Sequence, residues 1–97
     1  GPVYDSMKSE GAGVVLHFNH LGGGLVAKDG ELKGFTIAGA DKVFHPAKAE
    51  IHGDTIVVSA AEVSSPVVVR YAWANVPDGN LVNRTGLPAS PFRTDVD

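Results

Sequence analysis

An antiparallel β-sandwich of immunoglobulin-like size, built from about six or seven short strands, is the fold this sequence predicts. Three observations predict it. Valine outnumbers leucine fourteen to six, a bias toward β-branched side chains that suit a pleated, half-buried surface. The 12 glycines and 6 prolines recur every few residues, where tight turns need them. Apolar and polar residues alternate with a period of two in several segments, as strands with one buried face require. A chain of 97 residues holds one domain and one modest core. Residues 1–12 read as a leading linker, 13–86 as the sandwich and 87–97 as an extended tail.

In chain order, Val14, Leu16 and Phe18 share one face of a strand while His17 and Asn19 point the other way. Gly22-Gly23-Gly24 interrupts it and reads as a flexible connection. Lys28-Asp29-Gly30 is a turn, leaving Leu25-Val26-Ala27 as a short strand of open pairing. Between Leu32 and Ala40, Phe35 and Ile37 share a face, and Asp41-Lys42 turns the chain. Ala47–Ile51 and Thr55–Ser59 form the clearest hairpin, with Gly53 at the bend because a residue lacking Cβ adopts positive φ freely. The run Ala60–Ser65 is the one place for a single helical turn. From Pro66, Val67, Val69, Tyr71 and Trp73 line one face and Val68, Arg70, Ala72 and Ala74 the other, the pattern of a strand near the sheet centre. Pro77-Asp78-Gly79 is a turn, Asn80–Asn83 a last short strand, and Leu87–Phe92 carries prolines that cannot donate to a ladder.

Several function classes are excluded by composition. The formal net charge of −3 contains no basic block, so neither nucleic acid nor an anionic membrane is an expected partner. The absence of cysteine removes thiolate catalysis and cysteine-ligated zinc. No apolar run approaches the ~20 residues of a spanning helix, and the first residues lack a charged-then-apolar signal pattern.

Site chemistry is sparse. No serine lies in the glycine-flanked turn that exposes a hydrolase nucleophile; Ser59 follows Val57-Val58, and Ser90 stands between alanine and proline. His17 and His20 are three apart in a strand and face opposite ways, while His45 and His52 precede Pro46 and Gly53 in turn-like contexts. Gly22–Gly24 lacks the following Gly-Lys-Ser/Thr of a phosphate loop. No catalytic residue, metal or cofactor is therefore expected. Trp73 and Tyr71 offer an aromatic platform for sugar rings, against which stands their phase with Val67 and Val69, a core-like placement. Arg70, beside the small Ala72 and Ala74, suits either an interdomain contact or a solvated face. Asn83-Arg84-Thr85 matches the glycosylation sequon without deciding anything.

The string Gly86-Leu87-Pro88-Ala89-Ser90-Pro91-Phe92-Arg93-Thr94-Asp95, with Val69–Asn75 before it, resembles the carboxy-terminal end of bacterial sialate O-acetylesterases. Gly1–Tyr4, Gly22–Leu25, Gly34–Gly39 and Val57–Ser59 resemble the same family in the same order. The resemblance implies a parent esterase of the SGNH hydrolase type, secreted or periplasmic, that removes O-acetyl groups from sugars with a serine–histidine–aspartate site. Neither the family's Gly-Gln-Ser-Asn-like nor its Asp-x-x-His-like block occurs in these residues. The expectation is a non-catalytic terminal β-domain that docks on the parent's hydrolase domain, or alternatively a carbohydrate-binding module of that enzyme. The expected contact residues are Arg70, Tyr71, Trp73, Asn80, Asn83, Phe92 and Arg93, with the hydrolase domain or a glycan as partner and self-association of the isolated piece as a consequence.

Overall fold

The computed structural model describes residues 1–19, 22–28, 30–73 and 79–95. These residues contain no helix and ten strands, all antiparallel where they pair. The all-β expectation holds. Two four-stranded sheets run in the orders β1-β2-β7-β6 and β10-β8-β4-β5, and a ribbon pairs β3 with β9.

The first sheet is assembled from two hairpins: β1 (Val3–Glu10) with β2 (Gly13–Asn19), and β6 (Lys48–His52) with β7 (Thr55–Ser59). Both have two-residue turns, since Glu10 faces Gly13 and His52 faces Thr55. Gly53 takes φ 62° as the hairpin demands. In the centre of the sheet Val14 faces Val58 and Leu16 faces Ile56. All four are fully buried, and burying each such side chain contributes roughly 1.5–3 kcal/mol.

The second sheet joins β4 (Phe35–Ala38), β5 (His45–Pro46), β8 (Val68–Tyr71) and β10 (Phe92–Arg93). Phe35 faces Tyr71 and Ile37 faces Val69 across β4 and β8. Their buried side chains meet Leu16, Phe18, Ile56 and Val58 of the first sheet in one core, which makes the two sheets a sandwich. The ribbon of β3 (Leu25–Ala27) and β9 (Leu81–Asn83) adds Leu25 and Leu81 to that core.

Residues 1–12, expected as a linker, contain strand β1. Its register shifts between Tyr4 and Ser6. Such a bulge changes the inward phase, so Tyr4 and Met7, three apart, both pack on the core. That spacing hides the strand from a period-two reading. Residues 87–97, expected as a tail, contribute β10, and Pro88 bridges Val82. These flanking strands, with the short β5, explain why ten are present rather than six or seven.

Ala60–Ser65 is not helical. The Val63 amide donates to the Ala60 carbonyl at 3.1 Å, and the same two residues form a bridge. Gly22–Gly24 is no slack connection either: all three have positive φ, and a Cβ on Gly22 would collide with the Asn83 side chain. Close approach, rather than freedom, is what these glycines supply.

Candidate functional site

The outer side of β8 carries Arg70, which the register sets between Thr36 of β4 and Arg93 of β10. Strand alternation turns Val69 and Tyr71 into the core and leaves Arg70 on the opposite face. Its guanidinium forks onto Asp95: Nη2 donates to Oδ2 at 2.7 Å and Nε to Oδ1 at 3.4 Å. The guanidinium carbon also lies 4.0 Å from the centre of the Phe44 ring, a cation–π distance. Hydrogen bonding from Arg70 holds the Asp95 carboxyl below its usual pKa, against an opposing effect of burial. Thr94 fastens the segment from both sides. Its amide donates to the Val69 carbonyl at 2.9 Å, and its hydroxyl accepts from the Val69 amide at 2.9 Å.

Past Tyr71 the alternation fails. Ala72 has φ 50°, a left-handed conformation unusual for a residue with a Cβ, and its amide donates to the Gly34 carbonyl at 2.8 Å. Trp73 consequently leaves the core phase. It is 36% exposed, and Val67, at the other end of the expected core face, is 45% exposed. Burial of these two side chains, expected from their phase with Val69, is corrected. The Arg93 guanidinium carbon lies 5.3 Å from the centre of the Trp73 ring. Ala74 lies outside the described residues.

Four other expected contact residues are engaged within the domain. Tyr71 is 2% exposed, and its phenol oxygen accepts from the Leu81 amide at 2.8 Å. Burial raises its pKa, while that hydrogen bond acts in the opposite direction. Phe92, half-buried, stacks on Tyr4 at 5.0 Å and on Tyr71 at 5.5 Å, with Phe18 and Phe35 edge-on. Asn80 ties down the loop before β4, because Nδ2 donates to the carbonyls of Lys28 and Glu31 and Oδ1 accepts from the Lys33 amide at 2.7 Å. Asn83 is 4% exposed. Its Oδ1 accepts from the Thr85 amide, the Thr85 hydroxyl and the Leu87 amide. The sequon asparagine is thus buried inside its own turn.

The structure therefore sets Trp73, just past β8, beside Arg93 of β10, with Arg70 opposite Arg93 in register, and engages Tyr71, Asn80, Asn83 and Phe92 in contacts within the domain. Sequence reasoning missed Phe44 and Asp95. Neither lies in a periodic segment, and only the approach of distant loops to Arg70 gives them a role.

Among the described residues no serine hydroxyl is hydrogen-bonded to a histidine ring, and no three His, Asp or Glu side chains gather as metal ligands. His17 and His52 are exposed and His45 is half-buried in β5; His20 lies outside the described residues. One cleft of ≈ 310 Å³ is lined by Asp41, His45, Glu62, Ser64 and Ser65 among others. A second, ≈ 370 Å³, runs along Glu31–Thr36 and Pro46–Ala47.

Comparison with solved structures adds what the geometry does not. A crystal structure described as a novel carbohydrate acetylesterase from Xanthomonas citri superposes on 97% of this chain with a TM-score of 0.92 and 48% sequence identity. The chain resembles one segment of a carbohydrate acetylesterase. It spans only 22% of that esterase's length. No family model matches the chain, and no curated protein matches it. The resemblance read from the sequence is supported by the Xanthomonas citri structure at the level of carbohydrate acetylesterases.

Proposed function

We propose that this chain is a non-catalytic accessory β-sandwich of a carbohydrate acetylesterase, packed against the hydrolase domain of its own parent polypeptide. One observation carries the reading: the match covers nearly all of this chain at 48% identity and less than a quarter of the Xanthomonas citri esterase. A piece of that extent is a module within an enzyme. The motifs along residues 86–95 and 69–75 favour a sialate-type O-acetylesterase with an SGNH hydrolase domain as the parent, and with it a secreted or periplasmic location. The isolated chain, lacking its hydrolase domain, is expected to self-associate.

Acetate release tests this. The parent polypeptide is expected to deacetylate O-acetylated sialic acid, with acetylated xylo-oligosaccharide as the competing substrate, and the 97-residue chain alone to release nothing. Acetate release by the purified chain, abolished by Ser59→Ala or Ser90→Ala, would overturn the reading.

The exposure of Trp73 favours a second reading, a carbohydrate-binding module, because an accessible indole stacks on sugar rings. Trp73 is the single tryptophan, so its fluorescence reports directly. A shift on titration with acetylated oligosaccharide supports this alternative, and an unchanged spectrum at saturating sugar discards it.

A further inference from the structure

We propose that the paired side chains of Trp73 and Arg93, with the Arg70–Asp95–Phe44 cluster beside them, form the surface by which this chain docks on the catalytic part of a carbohydrate acetylesterase. The inference rests on the accessory-domain reading and locates its contact.

Three observations converge on this surface. The first is backbone strain. A left-handed Ala72 costs roughly 1–2 kcal/mol relative to an ordinary strand residue, and its effect is to turn the indole of Trp73 out of a core into which alternation would have sent it. Retained strain that exposes a large aromatic points to use of that aromatic.

The second is composition and rigidity. Tryptophan and arginine are the side chains that most often dominate protein interfaces. Here Arg93 already lies over the indole, and Arg70 is held by the Asp95 fork and the Phe44 ring. Side chains ordered beforehand lose less conformational entropy on association.

The third is extent. More than three quarters of the Xanthomonas citri esterase lies outside the segment that this chain matches, and that remainder is the partner.

The test is a chimera in which this chain replaces the matched segment of the Xanthomonas citri esterase. Amide hydrogen exchange is compared between the chimera and the isolated chain, the latter diluted until sedimentation shows a monomer. Segments containing Trp73 and Arg93 should exchange at least about tenfold more slowly in the chimera, as expected for amides covered by a contact. Trp73→Ala and Arg93→Ala should each abolish that protection in the chimera while leaving the circular dichroism of the isolated chain unchanged.

Equal exchange in an active chimera and in the isolated chain would overturn the docking surface and leave the accessory-domain reading standing. Protection that appears only when acetylated oligosaccharide is added would overturn it in favour of a glycan surface. A chimera that releases no acetate from a sugar the native esterase deacetylates would count against the accessory-domain reading itself, and the docking surface would fall with it.

Discussion

The two sheets of the sandwich reach one common core by different means. In β1-β2-β7-β6 the strands are five to eight residues long, and two-residue turns join them in pairs. In β10-β8-β4-β5 they are two to four residues long, and β8 and β10 join the neighbouring β4 and β5 from distant parts of the chain. Where alternation runs long enough, apolar burial alone selects the register, because a one-residue slip would expose every buried side chain. Where strands are short, few buried pairs exist to do so. Directed polar contacts take over: Thr94 bracketing Val69, the Tyr71 phenol on the Leu81 amide, and Arg70 gripping Asp95. The ribbon of β3 and β9 follows the second pattern through Asn80 and Asn83.

Breaking the first sheet should cost most. Ile56→Ala, at a fully buried position opposite Leu16, is expected to lose about 2–5 kcal/mol by transfer and cavity effects, measured by urea unfolding. Next comes Asn83→Ala. Removing its carbonyl leaves the Thr85 and Leu87 amides without their acceptor, and about 2–3 kcal/mol should be lost. Tyr71→Phe deprives a single buried amide, that of Leu81, and should cost about 1–2 kcal/mol in the same assay. If Tyr71→Phe and Asn83→Ala both proved neutral, the contrast between the sheets would not hold.

The half-buried Arg70–Asp95 pair should contribute less, with a coupling energy of about 1 kcal/mol or below in a double-mutant cycle. Its pH dependence has a definite sign. The Asp95 pKa in the folded chain lies below the ordinary value of 3.8, so the native state favours the ionised carboxylate. That stability is fully present above pH 3.8 and is lost as pH falls through the lowered folded value. Acid unfolding of Asp95→Asn should therefore be shallower than that of the original chain across this window. Smallest of all is Ala72→Gly. Relief of a left-handed alanine is partly offset by greater unfolded-state freedom, for a net gain of about 0.5 kcal/mol.

The same contrast explains what was legible in the sequence. Val14, Leu16 and Phe18 announced β2, and Gly53 announced the β6–β7 hairpin, because local periodicity and one turn residue suffice there. Strand β1 escapes a period-two pattern since its bulge puts Tyr4 and Met7 out of step. Trp73 departs from the alternation because one left-handed residue, Ala72, breaks it. Asn80 and Asn83 were legible as polar residues but not as brackets, because their partners lie in loops and turns whose course only the folded chain defines. Arg70 stands out in the sequence for its small neighbours, yet its working partners, Phe44 and Asp95, are separated from it by more than twenty residues and carry no shared motif. The likeness to an esterase was readable from colinear short strings, whereas nothing in the period or charge of the chain points to acetylated sugars.

The parallel stacking of Tyr4 on Phe92 has a consequence for biosynthesis. The aromatic floor of the domain joins residue 4 to residue 92 and is completed only when the last of the ten strands has been made. A nascent chain halted at residue 85 would already contain every hairpin, yet would leave Tyr4, Phe18 and Tyr71 open to water. Final closure must wait until the ribosome has released the segment carrying Phe92, and truncated products should be sticky and quickly degraded.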